Sequence, residues 1–161
     1  MEIQKKFIIN PADLKLEQLL PNRPTVGNDV NVVLWRVIRL VGLYSILGDE
    51  AETVSYLTGK HIGKMLKITS VDDLGKQLTD LKIGKLSFPV HTHESVHMAI
   101  AECVTCDGIS PALGRTVCQL EVGIVAGALE NLYPNKKVSG LETKCIGGLG
   151  DPVCLIECSI L

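Results

Sequence analysis

The chain has 161 residues, 46% of them hydrophobic, and a formal net charge of −2. That length sets one domain, or one domain with an arm, and the apolar content is enough for a real core. A near-neutral charge without a long basic run excludes nucleic acid as an expected partner. The opening MEIQKKFIIN has an apolar run too short for a secretory signal, so the expected location is cytoplasmic.

Residues 1–29 read as an arm and residues 30–161 as a single domain. Phe7-Ile8-Ile9 is a candidate short strand. Asn10-Pro11 opens a short helix with Leu14, Leu16, Leu19 and Leu20 available to pack, broken by Pro21, Pro24 and Gly27. Residues 30–47, VNVVLWRVIRLVGLYSIL, form a long helix that is apolar on nearly all sides. Arg36 and Arg39 interrupt it, which argues against a membrane span. A helix with so little polar face is either a central core helix or the seam of a homodimer. The seam is the expectation, because a small domain cannot easily surround such a helix.

Gly48 stops that helix, and Asp49 with Glu50 starts another that runs to about Leu66. Its Gly59 and Gly63 let a second backbone come close. Gly59-Lys60 and Gly63-Lys64 do not make a phosphate loop: the spacing is absent, and Met65 stands where Ser or Thr is needed. Ser70-Val71-Asp72-Asp73 has the form of a capping box, and Leu74, Leu78 and Leu81 follow at helical spacing until Gly84. The period then changes. Leu86, Phe88 and Val90 alternate, as do Val96, Met98 and Ile100, with a turn at Thr92–Ser95, so residues 85–103 form a β-hairpin. His91, His93 and His97 gather near its turn. They lack the following residues of a cupin site and read as solvated histidines, with His97 a possible pocket lining.

After a loop at Asp107–Pro111, a helix is expected from about Leu113 to Leu132. Cys118, Val122, Val125, Leu129 and Leu132 make one stripe along it, and Gly123 and Gly127 lie on another face. Val138–Ile146 reads as a strand, Gly147–Pro152 as a glycine-rich turn and Val153–Leu161 as a closing strand. Cys154, Ile156, Cys158 and Ile160 share a face of that last strand. The fold class is therefore α+β, with antiparallel strands in two hairpins packed with helices.

All six cysteines lie between Cys103 and Cys158. Free thiols are the expectation for this chain, and their crowding into its last third favours a metal over disulfides. One candidate shell is Cys118, Glu142, Cys145 and Cys154. The glycine turn would fold Glu142-x-x-Cys145 against Cys154, and Cys118 would reach in from the preceding helix. Three thiolates and one carboxylate make a closed tetrahedral shell for zinc, structural rather than catalytic. Cys103-x-x-Cys106 is a zinc half-site too, and with Cys145 and Cys154 it would give an all-sulfur alternative. Spacing alone does not choose between them. Cys158 falls outside both.

The residues Cys103-x-x-Cys106-x-Gly108, Cys118, Glu142-Thr-Lys-Cys145 and Gly150-Asp151-Pro152-x-Cys154 carry a resemblance. From about Arg23 to Leu161 the chain resembles the 4-vinyl reductase domain, also called the hydrocarbon-binding protein family, with Tyr56, Gly59 and Gly63 in agreement upstream. The resemblance implies a plait like that of vesicle-tethering transport-particle subunits, often dimeric and enclosing an apolar channel. It implies zinc beside the ligand pocket on a Cys, a Glu-x-x-Cys and a later Cys, which here are Cys118, Glu142, Cys145 and Cys154. Related domains occur in phenol-sensing transcription activators. This chain shows no DNA-binding or ATPase segment, and aromatic residues are only 4%. No dinucleotide fingerprint supplies a hydride for vinyl reduction. The expected function is a zinc-stabilised, dimeric binding module for a small hydrophobic molecule, a sensor or carrier. The alternatives are a tetrapyrrole vinyl reductase, a zinc hydrolase, or an interaction scaffold.

Overall fold

Alternation of apolar and polar residues after Gly84 builds the sheet. A computed structural model describes residues 10–161, and the candidate strand at Phe7–Ile9 lies outside them. Strands β1 (Lys85–His91), β2 (Ser95–Ala101), β3 (Val138–Lys144) and β4 (Cys154–Ile160) form one antiparallel four-stranded sheet in the order β1-β2-β4-β3. The two expected hairpins therefore join through β2 and β4, with Met98 opposite Ile156 and Ile100 opposite Cys154. Val96, Met98 and Ile100 of β2 and Cys154, Ile156, Cys158 and Ile160 of β4 all turn to the buried face, as their period requires.

The helices are α1 (Val32–Arg36), α2 (Leu43–Leu47), α3 (Glu50–Met65), α4 (Val71–Asp80), α5 (Gln119–Leu132) and α6 (Ile146–Leu149). A π-helical turn, Val37–Gly42, makes α1 and α2 one continuous rod. Helix α5 lies between α3 and the sheet, and every residue from Leu120 to Leu129 is buried. Glycines bring α3 and α5 into contact backbone to backbone. A Cβ on Gly59 would lie 2.0 Å from the Leu120 carbonyl oxygen, and one on Gly123 would lie 2.1 Å from that of Tyr56. Gly63 and Gly127 repeat the arrangement one turn on, against Ile124 and Lys60. Helix α4 opens as its sequence suggests, with the Ser70 hydroxyl accepting from the Asp73 amide at 3.0 Å. The Asp73 carboxylate accepts from the Thr69 amide rather than closing the box onto Ser70.

The α1–α2 rod is not a central core helix. Trp35, Arg39 and Leu40 pack inward, while Val33, Ile38, Val41 and Ile46 are exposed, Ile46 by 80%. In the arm, the expected helix after Asn10 is instead two short 3-10 turns, Pro11–Asp13 and Leu16–Gln18. Leu19 and Leu20 stay exposed there, so no apolar face holds a longer helix together.

Two further expectations are corrected. Helix α5 starts at Gln119, not near Leu113, because the Leu113 and Gly114 amides donate to the Gly147 and Gly148 carbonyls. Gly114 takes a left-handed φ of +78°, which no helix continues through. The glycine-rich turn after Cys145 is a short helix, α6, capped by Gly150 at φ +83°. No helix among the described residues is long and apolar enough to cross a membrane.

Candidate metal centre

The Cys145–Asp151 segment is the scaffold of the site. Asp151 accepts from the Cys145 amide at 2.8 Å, and the Ile146 amide donates to the Cys154 sulfur at 3.4 Å. Gly147 lies so close to the Cys106 carbonyl that a Cβ there would sit 2.1 Å from it. The absence of a side chain thus lets the Cys103–Cys106 turn settle directly onto α6. Cys118 is the N-cap residue of α5 rather than part of its stripe. Its amide donates to the Glu142 Oε2 at 2.8 Å, which joins the start of α5 to β3.

These contacts gather Cys103, Cys106, Cys118, Cys145 and Cys154 with Glu142 in one buried cluster. No disulfide links them. Two overlapping groups of four donors form, Cys103-Cys106-Cys118-Cys154 and Cys118-Glu142-Cys145-Cys154, each with its ligand atoms within 4.8 Å of one another. The second is the shell expected from the sequence. The first differs from the all-sulfur alternative, since Cys118 stands where Cys145 was expected. Sulfur–sulfur distances are 3.6 Å for Cys103–Cys118, 3.2 Å for Cys106–Cys154, 3.5 Å for Cys106–Cys118, 3.9 Å for Cys118–Cys154 and 3.8 Å for Cys106–Cys145. A tetrahedral ion with metal–sulfur bonds of about 2.3 Å needs edges of roughly 3.8 Å. The cluster has the spacing of a thiolate metal site. Cys158 and the histidines at 91, 93 and 97 join neither group.

Glu142 is 3% exposed, and its Oε1 has no hydrogen-bond partner. Burial pushes its carboxyl up to about 9. A buried, half-satisfied carboxyl beside thiols is what a cation would complete. The thiols share protons unequally. Hydrogen bonds from Cys106 and Cys118 hold Cys103 well below the usual thiol range, while the bond to Cys103 pushes Cys118 up. Cys158, away from the cluster, is pushed up to about 12 by burial alone, as an inert core thiol would be.

A buried polar group beside the cluster escaped the sequence reading. Arg39, at the π turn, pairs with Glu121 of α5 at 3.1 Å, and Thr105 donates to the same carboxylate at 2.5 Å. Arg36 donates to the carbonyls of Val104 and Cys103. The α1–α2 rod is thus tied to the Cys103–Cys106 turn. The available signal was an Arg and a Glu each embedded in an otherwise apolar helical run. Two hollows flank the rod. One of about 640 Å³ is lined by Trp35, Ile38, Ile83, Cys103 and Val104, and one of about 540 Å³ by Val37, Leu40, Tyr44, Ile109 and Val117.

A family described as "Protein of unknown function (DUF2507)" matches residues 33–144. The uncharacterized protein MJ1642 of Methanocaldococcus jannaschii is 30% identical over 132 residues, 82% of this chain and 79% of the relative. Among solved structures, a vinyl-4-reductase family protein of the same organism superposes with a TM-score of 0.63 at 18% identity, over 84% of this chain and 85% of that one. The phenol-responsive sensory domain of the transcription activator PoxR, with phenol, gives 0.66 at 18% identity, over 81% and 75%. Subunit 3 of a trafficking protein particle complex from Naegleria fowleri, covalently bound to palmitic acid, gives 0.59 at 15% identity, over 81% and 95%. These likenesses establish the α+β fold, and with it the resemblance to the vinyl reductase family and to the transport-particle subunits. The chain belongs to the DUF2507 family, in a fold shared with a vinyl-4-reductase family protein.

Proposed function

We propose that residues 30–161 form a zinc-stabilised, dimeric module that binds a small hydrophobic molecule as a sensor or carrier, with residues 1–29 as an arm. The observation that carries this reading is the hollow of about 640 Å³, whose lining includes the Cys103–Val104 turn beside the thiol cluster. An occupant there would touch Trp35 and Ile38 of the rod and the Cys103–Val104 turn together. Zinc on Cys118, Glu142, Cys145 and Cys154 would act as a redox-inert cross-link that fastens α5 to β3 and β4. The partnerless Glu142 Oε1 supports its place in that shell. Reduced thiols suit a cytoplasmic setting. The named ligands of two structures with this fold, phenol and palmitic acid, are apolar bodies with an oxygen, and they favour ligands of that chemistry here.

The exposed face of the rod is the proposed seam. A second copy packed on Val33, Ile38, Val41 and Ile46 would cover apolar surface and close the hollows on either side. The test is native mass spectrometry of the purified protein, with thermal shifts across fatty acids, phenols and tetrapyrroles. The expected result is one class retained or stabilising by several degrees, with the effect lost in Ile83→Trp, which fills the hollow. If no compound is retained and none shifts the melt, the binding reading fails.

A further inference from the structure

Six buried donors meet at this centre, and a tetrahedral ion takes four. The two groups of four overlap in two residues only, Cys118 and Cys154. We infer that the centre holds two metal ions that share the thiolates of Cys118 and Cys154. Glu142 and Cys145 complete one shell, and Cys103 and Cys106 complete the other. The inference rests on the metal reading above and adds a second ion to it.

The geometry of the sulfur-rich half carries the argument. Four of its six edges lie at 3.2–3.9 Å, close to the roughly 3.8 Å edge of a metal-thiolate tetrahedron. Buried thiols that serve only as packing meet carbon. Cys103 and Cys106 instead meet sulfur. Their turn is also held from outside the cluster: Arg36 donates to the Cys103 and Val104 carbonyls, the Asp107 amide donates to the Cys103 carbonyl, and Gly147 seats the Cys106 carbonyl. A preformed turn lowers the ordering cost of the second site.

Charge favours the pair as well. One dication with three thiolates and a carboxylate leaves a net charge of −2, to which each of Cys103 and Cys106 adds −1 when ionised. A second dication takes both as thiolates and sends to solvent any proton they still carry, which brings the buried charge to −2. The cluster therefore gains metal–sulfur bonds without burying further net charge. A thiolate has lone pairs enough to bridge two ions. One contact must give way: Cys106 and Cys145, 3.8 Å apart, fall on opposite ions and separate by roughly 2 Å when tetrahedra share an edge.

Metal stoichiometry tests the inference. The demetallated protein is titrated with zinc under reducing conditions and followed by native mass spectrometry and by proton release to an indicator dye. The expectation is two ions per chain with no more than two protons released by the second, one ion for Cys103→Ser/Cys106→Ser, and a metal–metal vector at roughly 3 Å in X-ray absorption. A single ion in the wild type, retained in the double variant, overturns the second ion and leaves the first standing. A single ion lost from the double variant but kept by Cys145→Ser also overturns it, by placing the only ion in the sulfur shell. No bound ion at all overturns the metal reading itself. Should the double variant fail to fold, the metal–metal vector of the wild type decides. Its absence at a stoichiometry of two marks the second ion as adventitious and refutes the inference.

Discussion

Replacing Gly63 by Ala tests whether α3 and α5 truly touch through their backbones. In an exposed helix this change would stabilise by about 1 kcal/mol, because alanine is the better helix former. Here the new Cβ would meet the Ile124 carbonyl oxygen at 2.1 Å, where ordinary contact begins near 3.4 Å. The helices would have to part by roughly 1.3 Å along a fully buried interface, and neither backbone can rotate out of the way. Overpacking of this severity costs about 3 kcal/mol, the upper end of the usual range. Subtracting the propensity gain leaves about 2 kcal/mol of destabilisation, or a drop in Tm of roughly 4–8 °C for a chain this long. Gly75→Ala is the control, since its Cβ would meet only the Phe88 ring edge, at 2.8 Å, on a half-exposed side chain that can swing aside. Denaturant and thermal unfolding should show Gly63→Ala well below Gly75→Ala. An unchanged or raised melting point for Gly63→Ala would refute the interlocked packing.

Other outcomes follow from the same contacts. Arg39→Met should cost about 3–5 kcal/mol, because it strands the buried Glu121 carboxylate, and Arg39→Met/Glu121→Met should recover most of that in equilibrium unfolding. Glu130 is raised by burial but held down overall, to about 2, by hydrogen bonds from Lys60 and Lys64. Its stabilisation, about 2 kcal/mol after solvent screening, is therefore complete above pH 4.5 and lost as pH falls toward 2. Glu130→Gln should lower stability at pH 7 and match the wild type near pH 2 in a pH series of denaturation midpoints. Val41→Asp, on the exposed face of the rod, should give a folded monomer by sedimentation while the wild type sediments as a dimer.

Local chemistry was legible and long-range backbone pairing was not. The Ser70 cap, the leucine spacing of α4 and the alternation in β1 and β2 depend on neighbours within a few residues, and each element stands where its pattern put it. Gly59, Gly63, Gly123 and Gly127 announced a close approach, since nothing else explains small residues at that spacing in two helices. The start of α5 was not legible because Leu113 and Gly114 bond to Gly147 and Gly148, distant residues that leave no trace in periodicity. For Cys103 and Cys106 the sequence suggested Cys154 as company but Cys145 where the structure has Cys118. Spacing marked them as a half-site, and the seating of the Cys106 carbonyl on Gly147, which no local pattern announces, helps bring them to Cys118.

A metal ion on these residues would fasten the start of α5 to the end of the sheet. Adding a strong chelator under reducing conditions, while following metal content and near-ultraviolet circular dichroism in one titration, tests it most directly. Metal and tertiary signal should leave together, Cys154→Ser should behave like the chelated protein, Cys145→Ser should lose the ion it shares with Glu142 and melt lower, and Cys158→Ser should keep both metal and signal. A chelated protein that holds no metal yet retains its full tertiary signal and melting temperature would contradict it.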